Sequence, residues 1–211
     1  MVSRGKFITF EGGEGAGKST QARKLKAALE ARGRSVVLTR EPGGSPGAEE
    51  IRKLLVEGEP DRWTPLSETL LFIAARADHV ARVIEPALAK GDWVISDRFS
   101  DSTFVYQGVA RGLGVELVRQ IQEAALGRFA PDLTLILDLP VEEGLKRAHA
   151  RGEMSESRYE KFGQAFHENL RAAFHKIAAS EPKRCAVLDG ARSENEVAAD
   201  IWRTVAERLH P

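Results

Sequence analysis

The chain is nearly without cysteine. Its single one, Cys185, leaves no disulfide framework or cysteine metal site to be built, and its place in the apolar run Cys185–Leu188 reads as a buried core position. Net charge is missing too. Lys plus Arg and Asp plus Glu both total 31, which argues against a nucleic-acid binder with its usual basic excess. No stretch approaches the roughly 18 apolar residues that span a membrane. Met1–Lys6 runs straight into an apolar strand with no long signal region, so a cytoplasmic protein without membrane or nucleic-acid partners is expected. Asparagine is also scarce. Asn169 and Asn195 are the only two, and neither precedes a lysine, so the Asn-Lys-x-Asp element common in guanine-specific switches is absent.

With 42% hydrophobic and 29% charged residues, what remains has the composition of an ordinary globular protein. Its 211 residues suit one well-packed domain, or two small ones. Short apolar runs at Phe7–Phe10, Ser35–Thr39, Trp93–Ser96, Leu133–Leu139 and Ala186–Leu188 read as strands. Between them lie helical patterns at Ser19–Arg32, Ala48–Val56, Val115–Leu126, Val141–Arg151, Tyr159–Ala179 and Glu194–Leu209. The longest helical signal has Leu66, Leu70, Ile73, Ala77, Val80 and Ile84 at alternating four- and three-residue spacing. Strands alternating with helices imply an α/β fold with about five parallel strands covered on both faces. No repeat or linker divides the chain, so residues 1–211 are read as one domain. Ligands in such a fold bind at the carboxyl ends of the strands.

Gly12-Gly13-Glu14-Gly15-Ala16-Gly17-Lys18-Ser19 fits G-x-x-x-x-G-K-[ST] in full, between a strand and a helix, with Thr20 next. Glycines let backbone N–H groups turn inward around phosphate oxygens. The following helix offers its free N–H groups and positive dipole end. Lys18 can reach the β- and γ-phosphates, and the Ser19 hydroxyl can ligate Mg²⁺. This is a binding loop for ATP or a related triphosphate.

Three further groupings bear on an acceptor. Asp97-Arg98 directly follows a strand. Arg98 can grip a phosphate bidentately and share transition-state charge, and Asp97 can order Mg²⁺-bound water or hold that arginine. The pair also reads as a strand-end salt bridge. Phe72 and Arg76 share a helix face, either as a nucleobase clamp or as a core edge with a snorkelling arginine. Arg147 and Arg151 are again four apart, ahead of the irregular stretch Gly152–Arg158. They can aim guanidiniums at transferring phosphates under a mobile lid, or merely favour a helix C-terminus.

Taken together, these segments resemble the bacterial thymidylate kinases over nearly the whole chain. The matching blocks are Phe10–Thr20, Thr39–Gly44, Leu71–Arg76, Asp97–Phe99, Ser102-Thr103, Tyr106–Gly108 and Pro131–Thr134. Arg40-Glu41-Pro42-Gly43-Gly44 and Asp97-Arg98 are specific to that family among nucleoside monophosphate kinases. The resemblance implies a P-loop kinase fold and the reaction ATP + dTMP → ADP + dTDP with Mg²⁺. It implies stacking of thymine on Phe72, Arg76 at the base edge, and Thr103 and Gln107 near base or sugar. Tyr106 would lie under the deoxyribose and Arg98 at the dTMP phosphate, with Asp97 beside it. Glu11 would face the sugar 3′-hydroxyl or magnesium water, and Glu41, Pro42 and Ser102 would complete the substrate site.

The phosphate loop carries no arginine, so the sequence is similar to the branch of the family in which lid arginines, here Arg151 with Arg147, supply catalytic charge. The lid, about 147–160, departs from the family pattern by having Ser157 where an aspartate is usual, ahead of Arg158. The family is usually a homodimer, for which the stripe from Leu66 to Ile84 is a candidate seam. A buried core face accounts for that stripe equally well. The alternatives to this reading are a kinase acting on another monophosphate or nucleoside, and a P-loop regulatory ATPase.

Overall fold

The computed structural model describes residues 3–59, 61–150, 159 and 162–211. Five strands form one all-parallel sheet: β1 Phe7–Glu11, β2 Val36–Arg40, β3 Trp93–Asp97, β4 Leu133–Asp138 and β5 Cys185–Asp189. Their order is β2-β3-β1-β4-β5. Successive side chains of a strand point to opposite faces. Accordingly Ile8 and Phe10 pack with Leu25, Leu29, Val197, Ile201 and Val205 on one side. Phe7 and Val94 pack with Val80, Ile84, Leu88 and Phe99 on the other. Burial on both faces is why β1, β3 and β4 read as continuous apolar runs rather than alternating ones.

The register brings the strand ends level. Phe10 lies opposite Asp97, Glu11 opposite Ile136 and Arg40 opposite Asp97. The chain winds outward from β1 in both directions, so the carboxyl end of β1 is the topological switch point where such sheets bind ligands.

Helices cover both faces: α1 Lys18–Glu30, α2 Pro46–Val56, α3 Pro65–His79, α4 Glu85–Lys90, α5 Ser100–Thr103, α6 Val115–Leu126, α7 Val141–His149, α8 Gln164–Ser180 and α9 Glu194–Leu209. The long helical signal does not continue as one α-helix. A π-helical turn, Val80–Ile84, separates α3 from α4. Pro86 has no N–H for the carbonyl four residues back, which favours a local change of hydrogen-bond spacing. The apolar stripe divides as well: Ile73, Val80 and Ile84 are buried, whereas Leu66 and Leu70 are 44% and 49% exposed.

The segment Ser100–Ala110, α5 followed by a π-helical stretch Phe104–Ala110, was not foreseen. It is buried from Ser100 to Gly108, so it shows no polar face and no helical period. Helix α8 starts later than its periodicity suggests, because Gly163 at its N-cap is extended, with φ −69° and ψ 166°. Cys185 is buried as expected. No helix among the described residues is long and apolar enough to cross a membrane.

Candidate active site

The phosphate loop runs from the end of β1 into α1. Gly12, Gly15 and Gly17 all have positive φ, at 127°, 70° and 88°, a region that residues with a Cβ rarely enter. Gly15 has a second reason to lack a side chain. A Cβ there would lie 2.0 Å from the Gly144 carbonyl oxygen, and a Cβ on Gly144 would lie 2.5 Å from Glu14 O. The loop tip and α7 therefore meet backbone to backbone. Ala16 packs into the core, Thr20 accepts from Arg23 in the first turn of α1, and Gly13 has open space around its Cβ position. Lys18 folds back over the loop, its Nζ donating to Gly12 O at 3.2 Å and Gly13 O at 2.8 Å.

Across the end of the sheet lies a pocket lined by Glu41, Pro42, Phe72, Arg76, Arg98, Ser102, Thr103, Tyr106 and Gln107, together with Val56, Phe99 and Tyr159. Of the residues expected to surround dTMP, all but Glu11 and Asp97 line it. Arg76 is 2% exposed, too buried for a snorkelling side chain. Its guanidinium donates to Glu41 Oε2 at 2.7 Å, Thr103 Oγ1 at 2.9 Å and Gln122 Oε1 at 3.0 Å. Glu41 also meets His79 Nδ1 at 3.0 Å, and His79 Nε2 lies 2.7 Å from Thr39 Oγ1. A buried charge so fully paired holds one orientation, and the half-buried Phe72 lies one helical turn before it.

Arg98 does not make a strand-end salt bridge with Asp97. Its guanidinium donates to Glu14 Oε1 at 2.8 Å, Ser102 Oγ at 3.1 Å and Gly12 O at 3.3 Å, and it lies over the Tyr106 ring at 5.1 Å. Glu14 thus turns its side chain from the phosphate loop toward the acceptor pocket, where Tyr106 also donates to it. Burial works against its charge. Arg98, Lys18 and the Tyr106 hydroxyl outweigh that and hold its pKa at about 2. Asp97 instead accepts from the Ser19 hydroxyl.

Glu11 is turned away from the pocket. It is fully buried and accepts from Phe99 N, Ser102 N and the Ser102 hydroxyl, so its oxygens are taken up by the segment after β3. Burial, reinforced by the Asp101 carboxylate, raises its pKa to about 7 against the pull of Ser102, Arg98 and the Phe99 N–H. Arg147 also lies elsewhere than expected. It donates to Gly190 O at 3.1 Å and pairs with Glu143 on its own helix, so in this structure its guanidinium is committed to the loop after β5. Arg151, Ser157 and Arg158 lie outside the described residues.

Tyr159 was read as part of the lid and the start of a helix, not as a site residue. Its ring meets Tyr106 edge-on at 5.1 Å. Its hydroxyl donates to Glu68 Oε1 at 2.8 Å and accepts from Gln107 Nε2 at 3.1 Å. Gln122 and His79, which brace Arg76 directly and through Glu41, were also missed. His79 lies three residues after Arg76, a helical spacing that brings both to one face. Neither Gln122 nor Tyr159 has such a signal. Beside the phosphate loop, His167 lines a second, smaller cavity with Gly12, Gly13, Asp138 and Arg171. Burial lowers its pKa despite Glu14 and the backbone of Phe162 and Tyr159.

A family model described as thymidylate kinase matches residues 10–201. The thymidylate kinase of Caulobacter vibrioides is 54% identical over 208 residues, 99% of each chain. That of Dinoroseobacter shibae is 56% identical over 201 residues, 95% of this chain and 96% of its own. Among solved structures, the thymidylate kinase of Ehrlichia chaffeensis matches with a TM-score of 0.76 and 34% identity, over 96% of this chain and 99% of that one. Since the model spans most of the sequence and such relatives match it end to end, the chain belongs to the thymidylate kinase family.

Proposed function

We propose that the protein transfers the γ-phosphoryl group of ATP to dTMP, giving ADP and dTDP for dTTP synthesis. The observation that carries this reading is the acceptor pocket itself. A phosphate loop that served only hydrolysis or signalling would need no second site built from a ring, Phe72, and two oriented guanidiniums, Arg76 and Arg98.

Each side chain then has a role suited to its setting. Phe72 stacks on thymine, and Arg76, fixed by Glu41, Thr103 and Gln122, presents its remaining N–H groups to the base edge. Arg98 grips the dTMP phosphate. Tyr106 lies beneath the deoxyribose, where a 2′-hydroxyl would clash. Gln107, held to Tyr159, closes the base side. The backbone of Gly12–Ser19 and the Lys18 ammonium hold the ATP phosphates. Phosphoryl transfer needs positioning and charge neutralisation more than covalent help, and a dTMP phosphate oxygen is nucleophilic without a general base.

The Ser19 hydroxyl and Asp97 carboxylate, side by side at the mouth of the loop, are the hard oxygen donors that Mg²⁺ takes, with its remaining positions left to phosphate and water. They would hold the ion, which when bound neutralises phosphate charge. With Arg147 turned to Gly190, Arg151 is the better candidate for the second catalytic cation. Exposed Leu54, Leu66, Leu70 and Leu117 lie on the adjoining helices α2, α3 and α6, which supports a homodimer formed through these helices.

A coupled assay of ADP formation with a panel of nucleoside monophosphates tests the reading. ATP turnover should depend on dTMP far more than on any other monophosphate. Turnover indifferent to the acceptor would mean an ATPase, and preference for another base would mean a different kinase.

A further inference from the structure

Arg98 has a backbone conformation that residues with a Cβ seldom adopt. Its φ is 69°, in the left-handed region, at a cost of roughly 1 kcal/mol for a non-glycine residue. That turn takes the chain out of β3 and into α5. Such a conformation persists only where surrounding groups hold it, and three do so. The Arg98 N–H donates to Phe10 O at 2.9 Å. The Ser96 hydroxyl donates to Arg98 O at 2.8 Å. The next N–H, that of Phe99, donates to Glu11 Oε1 at 2.8 Å.

Glu11 reaches the side chain of Arg98 as well. Its Oε1 accepts from Ser102 N at 3.3 Å and its Oε2 from the Ser102 hydroxyl at 2.6 Å. Above about pH 7, where Glu11 ionises, its carboxylate only accepts, so the Ser102 proton is then committed to it. That leaves the lone pairs of Ser102 Oγ facing Arg98 NH1, which donates to it at 3.1 Å. One buried carboxylate at the end of β1 thus fixes both the backbone and the guanidinium of Arg98, without itself lining the pocket. A buried carboxylate is costly unless well paired, and all three of these partners belong to the turn that carries Arg98.

We propose that Glu11 is a positioning residue for acceptor binding, acting on Arg98 through the Phe99 N–H and the Ser102 hydroxyl. The inference rests on the reading of Arg98 as the dTMP-phosphate contact. Glutamine at this position keeps the size and one acceptor oxygen. Its Nε2 donates to Ser102 Oγ, which releases the hydroxyl proton toward Arg98 and sets donor against donor.

Calorimetric titration of dTMP into the full chain at about pH 8.5, where Glu11 is ionised, with no triphosphate present, tests this. The variants are Glu11→Gln, Arg98→Ala and the two combined, each checked for folding by thermal melting. Glu11→Gln should weaken dTMP binding about tenfold, while affinity for a non-hydrolysable ATP analogue changes less than about twofold. On the Arg98→Ala background the same change should add less than about twofold, because the two effects are one interaction. If Glu11→Gln spares dTMP affinity, or weakens it equally with Arg98 absent, the proposal is overturned while the reading of Arg98 stands. If Arg98→Ala alone spares dTMP affinity, that reading falls and the proposal falls with it. Should Glu11→Gln fail to fold, Ser102→Ala cuts the same link from its other end, and its cycle with Arg98→Ala has the same supporting and overturning outcomes.

Discussion

The Tyr106 hydroxyl donates to Glu14 Oε1 at 2.6 Å, tying the floor of the acceptor pocket to the tip of the phosphate loop. Arg98 donates to the same oxygen, so one carboxylate of the ATP loop orients two groups of the other site. Hydrogen bonds to charged groups contribute about 1.5–3 kcal/mol. Tyr106→Phe should therefore raise the Michaelis constant for dTMP by roughly 10- to 100-fold. The constant for ATP should change much less. Steady-state kinetics with each substrate varied in turn measures both, and equal changes would mean that the bond merely stiffens the loop.

Phe72 lines the pocket next to Arg76. Base–aromatic stacking contributes about 1–3 kcal/mol, so Phe72→Ala should raise the dTMP Michaelis constant roughly 5- to 150-fold. The ATP constant should stay near its original value. A loss shared by both substrates, with a lowered melting temperature, would identify the ring as a packing residue.

Much of this site was legible in the sequence because its residues belong to contiguous blocks. Gly12–Ser19 lie in one loop, and Phe72 and Arg76 share a helix face. Strands β1, β3 and β4 were legible because burial on both faces leaves unbroken apolar runs. What escaped notice depended on tertiary contact. Gln122 reaches Arg76 from α6 across 46 positions, and Tyr159 reaches Glu68 across 91, separations that leave no local pattern. Ser100–Ala110 escaped because a helical segment buried from Ser100 to Gly108 shows no period. The positions of Glu11 and Arg147 were misjudged because a motif assigns a residue to a neighbourhood, while its rotamer depends on which donors lie closest.

Gly144 shows a constraint that neither periodicity nor motif reveals. A Cβ there would lie 2.5 Å from Glu14 O, and backbone cannot move aside cheaply. Overpacking of this kind costs about 1–3 kcal/mol. Gly144→Ala should displace the loop tip and weaken ATP binding about tenfold or more, with α7 still formed. Titration with an ATP analogue, alongside circular dichroism, checks this. Unchanged ATP affinity would show that the helix yields instead of the loop.

Glu11 and Glu14 give opposite pH signatures. The folded pKa of Glu11 is raised from 4.5 to about 7, so between these values the folded protein keeps a proton that the unfolded chain releases. Its contribution is most favourable below pH 4.5 and is lost as pH rises through 7. Glu14, lowered to about 2, contributes stability above pH 4.5 that is lost as pH falls through 2. Urea unfolding at pH 5 and pH 8 should show the wild type losing on the order of 2 kcal/mol more than Glu11→Gln over that interval. Parallel losses in the two proteins would mean that Glu11 is ionised across the whole range.

On the proposed function, the terminal phosphoryl group of ATP passes to dTMP in the pocket of Phe72, Arg76 and Arg98. Incubation with ATP radiolabelled at its γ-phosphorus, plus dTMP and Mg²⁺, followed by separation of the nucleotides, tests it most directly. The account predicts that the label leaves ATP and appears in dTDP, that little appears as free phosphate, and that transfer is largely lost in Arg98→Ala. Label recovered as inorganic phosphate with dTMP unconverted, or full transfer by Arg98→Ala, would contradict it.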